Sequence, residues 1–231
     1  MRDRRRALAK LTLTLRVTGR RGDGYHLLDS VMTTIDLADV LEFSDGDGVE
    51  VVGADLPADD LVTRALRAVG RRAAVRLEKR IPVGGGLGGG SADAAAVLRW
   101  AGCSDPAVAV ALGADVPFCL VGGRARVTGV GEVVEPLPFV EAAYTLLTPP
   151  LHVSTPAVYA AWDDLGGPTA DGPNDLEPAA LRVEPRLAAW RDALGDATEC
   201  VPVLAGSGGT WFVEGAFPDV RGAVVTRTER P

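Results

Sequence analysis

Cysteine is scarce in this 231-residue chain, and the three present, Cys103, Cys119 and Cys200, lie far apart with no CxxC pair. That spacing indicates neither a disulfide framework nor a thiolate metal site, and it fits a reducing, cytoplasmic setting. Positive charge is also in short supply. The 24 Lys and Arg face 31 Asp and Glu, which leaves a net charge of −7 and a pI near 4.9. This balance argues against a broad phosphate-neutralising surface for nucleic acid, so any polyanion must be met locally. Missing too is any uncharged apolar run of membrane-spanning length, and no long apolar segment follows the basic Met1–Arg6 stretch. The chain therefore reads as soluble, with no membrane contact expected. Neither a tandem repeat nor a long low-complexity linker is present.

What is there suits a globular fold. Hydrophobic residues make up 47% of the chain, enough to give one large domain or two small ones a real core. Leu11, Leu13, Leu15 and Val17 alternate with Thr12, Thr14 and Arg16, which predicts a strand with one buried face and Lys10 at its entrance. A turn-rich stretch at Gly19–Gly24 leads into β-like sequence from Leu27 to Phe43, and Val49–Gly53 and Val75–Ile81 also read as strands. Helical spacing marks Leu61–Val69, Ser91–Trp100 and Pro106–Leu112, while Val116–Val121 and Arg124–Val134 return to β character. Beyond a proline-marked seam at Thr148–Pro150, Pro156–Trp162 and Pro185–Leu194 look helical, and Val201–Leu204 and Trp211–Val213 look like strands. The irregular order of strands and helices predicts an α+β fold rather than regular βαβ winding, with domains at 1–147 and 148–231.

The strongest local signal is Pro82-Val-Gly-Gly-Gly-Leu-Gly-Gly-Gly-Ser91, where a strand ends, six glycines crowd around Leu87, and a helix begins near Ser91. Glycines let successive backbone N–H groups converge without Cβ obstruction, and a helix N-terminus adds partial positive charge, a geometry suited to phosphate. A Walker A loop would need Lys after its last glycine, but Ser91 follows Gly90. Gly84, Gly86 and Gly89 satisfy GxGxxG, as a glycine-dense run easily does, yet the acidic ribose ligand of a dinucleotide fold is not evident. The HRD and DFG triplets of protein kinases are absent.

A second glycine cluster, Ala205-Gly-Ser-Gly-Gly-Thr210, reads either as a hairpin turn or as a backbone approach to the same ligand. Ala205 stands where GxSxG needs glycine, so Ser207 is no recognisable nucleophile, and neither His26 nor His152 has a diagnostic relation to it. Asp115 sits among small and apolar residues in Leu-Gly-Ala-Asp-Val-Pro-Phe. A carboxylate there could take a substrate proton while the Lys10 ammonium stabilises the alkoxide. Singly, Lys10 reads as a solvated strand-end charge and Asp115 as a helix or turn cap.

Taken together these segments resemble the GHMP kinases. Ala9-Lys10-Leu-Thr-Leu, Pro82–Ala92 and Ala205-Gly-Ser-Gly-Gly are similar to that family's three motifs. Gly19-Arg-Arg-Gly-Asp-Gly-Tyr-His-Leu-Leu and Leu112-Gly-Ala-Asp-Val-Pro-Phe, with Ser154-Thr-Pro-Ala-Val-Tyr159 and Asn174-Asp-Leu, resemble its branch acting on a cytidyl diphosphate, and the likeness runs from Lys10 to about Phe212. The resemblance implies a two-domain α+β fold with a ferredoxin-like C-terminal domain, and ATP-dependent phosphorylation of the 2-hydroxyl on a methylerythritol unit. It implies that Asp115 is the base and Lys10 the activating lysine. Pro82, Gly84, Gly85, Gly86, Leu87, Gly88, Gly89, Gly90 and Ser91 would hold ATP. Tyr25, His26 and Tyr159 would recognise cytosine, the two tyrosines sandwiching it, while Thr155, Gly206, Ser207 and Gly208 would line the rest of the substrate site. Mg²⁺ is expected with ATP, its protein ligand unassigned, and the expected state is monomer or homodimer.

Three features depart from the family pattern. Thr12 stands where relatives usually carry Asn, which implies a shorter or missing contact in the catalytic pocket. Gly89 and Gly90 replace the Ser pair of the wider family, so no serine metal ligand carries over. The joins at Val69–Ala73 and Trp100–Pro106 are short for this family. The competing classes are a dinucleotide-dependent oxidoreductase, which requires a parallel sheet around the glycine run, and a non-catalytic nucleotide-binding module, in which Lys10 and Asp115 need not converge.

Overall fold

The structure, a computed structural model, describes residues 3–230. In chain order the elements are β1 (Asp3–Arg20), β2 (His26–Ser44), β3 (Gly48–Val52), α1 (Leu61–Ala68), β4 (Ala74–Glu78), α2 (Gly89–Ala101), α3 (Pro106–Leu112), α4 (Val116–Val121), β5 (Arg124–Gly129) and β6 (Val133–Leu137). There follow β7 (Ala143–Leu147), α5 (Thr155–Asp164), α6 (Glu177–Val183), α7 (Leu187–Thr198), β8 (Val203–Leu204), β9 (Trp211–Glu214) and β10 (Val224–Arg227).

Among the described residues the strands form two sheets. The first is organised by the long β2, which pairs with β1 along one edge, and with β5 and then β4 along the other. Only β3 and β4 run parallel there, so the sheet beside the glycine run is not the parallel platform a dinucleotide fold requires. The second sheet has the order β10-β7-β9-β8, all antiparallel. With α5 to α7 between β7 and β8, this is the ferredoxin-like arrangement, its second crossover cut down to the segment 215–223. The chain enters this sheet at Ala143, just before the Thr148–Pro150 seam.

Local chemistry explains most boundaries. Ala7, Ala9 and Leu11 point from β1 into a core shared with α2, whose Ala92–Leu98 stretch is buried on every side. Small side chains let such a helix lie close to its neighbours. The two short joins are closed by left-handed glycines just past a helix end: Gly70 (φ +61°) after α1 and Gly102 (φ +71°) after α2. The Arg71 and Cys103 N–H groups then reach back to the Leu66 and Leu98 carbonyls at 3.0 and 2.9 Å, satisfying helix-end acceptors with very little chain.

Two expectations are corrected. Val116–Val121 forms α4, not a strand. A short apolar run has no periodicity to separate buried helix from buried strand, and Pro117 in the first turn is already set to a helical φ. Lys10 lies in the middle of β1 rather than at its entrance, because the paired strand extends seven residues further toward the N-terminus, from Asp3. A register shift between Thr12 and Thr14 then exchanges the faces of β1, so Leu15 packs into the second core beside Trp211 and Leu176.

The two halves are joined by backbone. Leu15 N–H donates to the Pro173 carbonyl at 2.8 Å and its own carbonyl accepts from Asp175 N–H at 2.9 Å, while Glu229 N–H reaches the Thr34 carbonyl at 3.0 Å. None of the helices among the described residues is long and apolar enough to cross a membrane.

Candidate active site

The glycine run climbs away from β4 with left-handed backbone at Gly84, Gly86 and Gly88 and enters α2 at Gly89, two residues earlier than the sequence suggests. No side chain caps this helix, so its first N–H groups have no side-chain acceptor. Against one side of the run lies a cavity of about 460 Å³, walled by Leu56, Leu61, Ile81 and Val83 and floored by Lys79 and Asp93. A cavity of about 610 Å³ lies on the other side. Gly86, Gly88 and Ser91 line both, whereas Pro82, Gly84, Gly85, Leu87, Gly89 and Gly90 line the first alone. The run is thus a shared wall.

Lys10 reaches the larger cavity between the two glycine turns. A Cβ on Gly88 would stand 2.8 Å from Lys10 Cγ, and one on Gly206 would stand 3.3 Å from Nζ, so both turns must be bare for the lysine to pass. The side chain is 5% exposed. Its ammonium donates to Thr12 Oγ1 at 2.9 Å and lies 3.6 Å from Asp115 Oδ2. Thr12 therefore does make a contact in this pocket, to the lysine itself. Asp115 stands at the N-cap position of α4, yet its carboxylate caps nothing and remains one-third exposed toward the cavity. Burial pushes the neighbouring Cys119 thiol up to about 12, which removes it as a nucleophile.

The remaining sequence-predicted residues gather on the same cavity. Tyr25, His26, Thr155, Tyr159, Gly206 and Ser207 all line it with Lys10 and Asp115. Thr155 Oγ1 and Ser207 Oγ are 2.7 Å apart, fastening the start of α5 to the second glycine turn. Gly208 lines neither cavity. It packs behind the wall, where its carbonyl oxygen would meet a Cβ on Gly86 at 2.8 Å. Thr210 N–H completes the junction by donating to the Gly85 carbonyl at 3.2 Å.

The aromatic arrangement is more particular than a pair of tyrosines. Tyr159 stacks on His26 with centroids 4.7 Å apart and planes 21° from parallel, and Trp162 meets the imidazole edge-on at 5.6 Å. Burial holds the Tyr159 hydroxyl above its ordinary pKa, with the nearby Asp115 charge adding to the effect. Tyr25 is 64% exposed at the rim, with the Arg21 guanidinium over its ring.

Sequence reading passed over several groups that shape this region. Asp163 bonds His26 at 2.8 Å and lies 3.5 Å from Arg20. The signal for it was available, since Tyr159 and Asp163 are four residues apart on α5 and so share a face. Asn174 Nδ2 donates to the Leu204 and Gly206 carbonyls at 2.8 and 2.7 Å, holding the second glycine turn in place. Beneath the glycine run a buried Lys79 ammonium joins Asp39 and Asp93, the latter at 2.7 Å, and Asp39 also accepts from the Ile81 N–H at 2.8 Å. Burial alone would lower the Lys79 pKa, but Asp93 and Asp39 outweigh it and hold the ammonium above its ordinary value. Burial pushes the Asp93 carboxyl up to about 7. Among the described residues, no group of three or more His, Cys, Asp or Glu side chains is placed to hold a metal ion.

Comparison with known proteins bears on this geometry. Residues 60–123 match the GHMP kinases N terminal domain. The chain is 42% identical over 234 residues to a 4-diphosphocytidyl-2-C-methyl-D-erythritol kinase of Paracoccus denitrificans, covering 90% of this chain and 85% of that protein. It is 42% identical over 241 residues to the kinase of the same name from Xanthomonas axonopodis pv. citri, covering 90% and 80%. A crystal structure of a 4-(cytidine 5'-diphospho)-2C-methyl-D-erythritol kinase superposes with a TM-score of 0.81 at 33% identity, over 99% of this chain and all of that one. A homoserine kinase from Cytophaga hutchinsonii, at 18% identity and a TM-score of 0.55, shares the fold.

Proposed function

Because the chain belongs to the 4-diphosphocytidyl-2-C-methyl-D-erythritol kinases, within the GHMP kinase fold, we propose that it transfers the terminal phosphoryl group of ATP to the 2-hydroxyl of that cytidyl diphosphate alcohol. The product belongs to the non-mevalonate supply of isoprenoid precursors. One observation carries the reading: the Lys10–Asp115 pair opens on a cavity that shares Gly86, Gly88 and Ser91 with its neighbour across the glycine run. A triphosphate lying along the glycine run and the uncapped start of α2 reaches from one cavity to the other.

In this reading Asp115 accepts the hydroxyl proton, its carboxylate being uncommitted to capping. Lys10, held by Thr12 and desolvated between the glycine turns, stabilises the negative charge that develops on the attacking oxygen. The Gly84–Ser91 backbone and the uncapped start of α2 hold the phosphates. Tyr25, His26 and Tyr159 receive the cytosine, and Thr155, Gly206 and Ser207 line the path between base and reacting hydroxyl. Mg²⁺ is needed to neutralise phosphate charge in such transfers, and it is commonly carried by substrate phosphates, water and one or two carboxylates rather than by a protein cage. The three unpaired thiols accord with a cytoplasmic location.

The test is coupled ADP release with the cytidyl substrate, mevalonate, homoserine and galactose, on wild type and Asp115→Asn. Selective turnover of the cytidyl substrate is expected, with a loss on the order of 100-fold or more in the variant. Equal turnover of a non-nucleotide alcohol, or full activity in Asp115→Asn, would reject the reading.

A further inference from the structure

His26 is held on three sides. Its ring is 10% exposed, with Tyr159 stacked on one face, Trp162 against an edge, and Nε2 at 2.8 Å from Asp163 Oδ1. The other Asp163 oxygen lies 3.5 Å from the Arg20 guanidinium, so this carboxylate is itself held from a second strand end. Nδ1 has no protein partner among the described residues and is not sealed from solvent. The ring lines the cavity that holds Lys10 and Asp115.

A carboxylate can only accept a hydrogen bond. Facing Asp163, Nε2 of the neutral imidazole must carry the hydrogen, and Nδ1 is left with a bare lone pair. The carboxylate also blocks rotation of the ring about its Cβ–Cγ bond, because a half-turn would put a carbon where Nε2 now meets Asp163. We propose that Asp163 is a positioning residue for nucleobase selection: by bonding Nε2 it keeps Nδ1 an acceptor turned toward the ligand. Such an acceptor pairs with an exocyclic amino group and opposes a keto oxygen at the same position, which separates a cytosine-type base from a uracil-type one.

This inference rests on the cytidyl-substrate reading, and two measurements keep the failures apart. The first needs no substrate. With two histidines in the chain, a ¹H–¹⁵N spectrum of the imidazoles, assigned with His152→Gln, should show an exchange-protected hydrogen on His26 Nε2. Asp163→Leu, which cannot accept, should lose that protection, and Asp163→Glu should regain it. In the second, kcat/KM is compared for the cytidyl substrate and its uridyl counterpart. Wild type should prefer the cytidyl compound by on the order of 100-fold, since an unpaired polar group in a site is strongly selected against. Asp163→Leu should reduce that preference about 10-fold or more, the size of one hydrogen-bonding difference. The loss should fall in KM, with kcat for the cytidyl compound changed less than about threefold, because Lys10 and Asp115 are untouched.

Equal weakening for both bases, or an unprotected Nε2 in wild type, would overturn the assignment of Asp163. If wild type fails to turn over the cytidyl compound at all, the kinase reading falls and selectivity falls with it, whatever the spectrum shows.

Discussion

Replacing Gly86 with alanine tests whether the two glycine turns behave as one unit. Gly86 has φ +76°, and a Cβ built there would stand 2.8 Å from the Gly208 carbonyl oxygen and nearer still to that of Ala205. Gly84 provides the control. It has φ +75°, but the nearest neighbour of its Cβ is His152 Nδ1 at 3.2 Å, on an exposed side chain free to swing aside. Both substitutions bear the left-handed penalty of roughly 1–2 kcal/mol. Gly86→Ala adds an overpacking cost of about 1–3 kcal/mol, because the obstructing atoms are backbone and the whole 205–210 turn must move. For a chain of this size the extra cost corresponds to a melting temperature roughly 2–12 °C below that of Gly84→Ala. Urea and thermal denaturation followed by circular dichroism, with both variants under one buffer, measure the difference. Because Gly206 and Ser207 belong to the displaced turn, Gly86→Ala should also raise KM for ATP and for the alcohol together. Stabilities of the two variants agreeing within about 0.5 kcal/mol would refute the packing argument, since that is smaller than the least cost assigned to the contact.

Asp93 gives a pH-dependent outcome. Burial raises its carboxyl from 3.8 to about 7, so between those values the folded chain holds a proton the unfolded chain releases. Its contribution to stability declines as pH rises through that window and levels off above it. Asp93→Asn cannot ionise, so its urea midpoint relative to wild type should be higher at pH 8 than at pH 5; an equal difference at both would contradict the raised Asp93 carboxyl. Asn174→Ala strips donors from the Leu204 and Gly206 carbonyls. It should cost about 2–4 kcal/mol at the usual price of buried unpaired groups, and a loss under about 1 kcal/mol would mean that water replaces the amide.

How far the sequence exposed this molecule depends on whether the information was local. The glycine run, the alternation of β1 and the small-residue helix α2 each depend on near neighbours in sequence, and all three were visible. The face exchange after Thr12 was not, because a bulge is defined by the partner strand: Leu15 looked like a continuation of Leu11 yet enters a different core. The helix at Val116–Val121 was missed for want of any polar residue to set a period. At the site, Lys10, Asp115 and the other residues lining the larger cavity were legible through motif resemblance. The Lys79, Asp39 and Asp93 cluster was not, since its members lie 14 and 40 residues apart and meet only through tertiary packing. Asn174 stood inside a recognised segment, but its work is to hold another loop's carbonyls, a role no motif reveals.

Gly86, Gly88 and Ser91 belong to both cavities, so neither chamber can be filled without bearing on a partition the other uses. Linkage makes the traffic two-way. Whatever factor occupancy of one chamber lends to capture of a ligand in the other, the second ligand must lend back to capture of the first, and the product of two successive bindings is the same in either order.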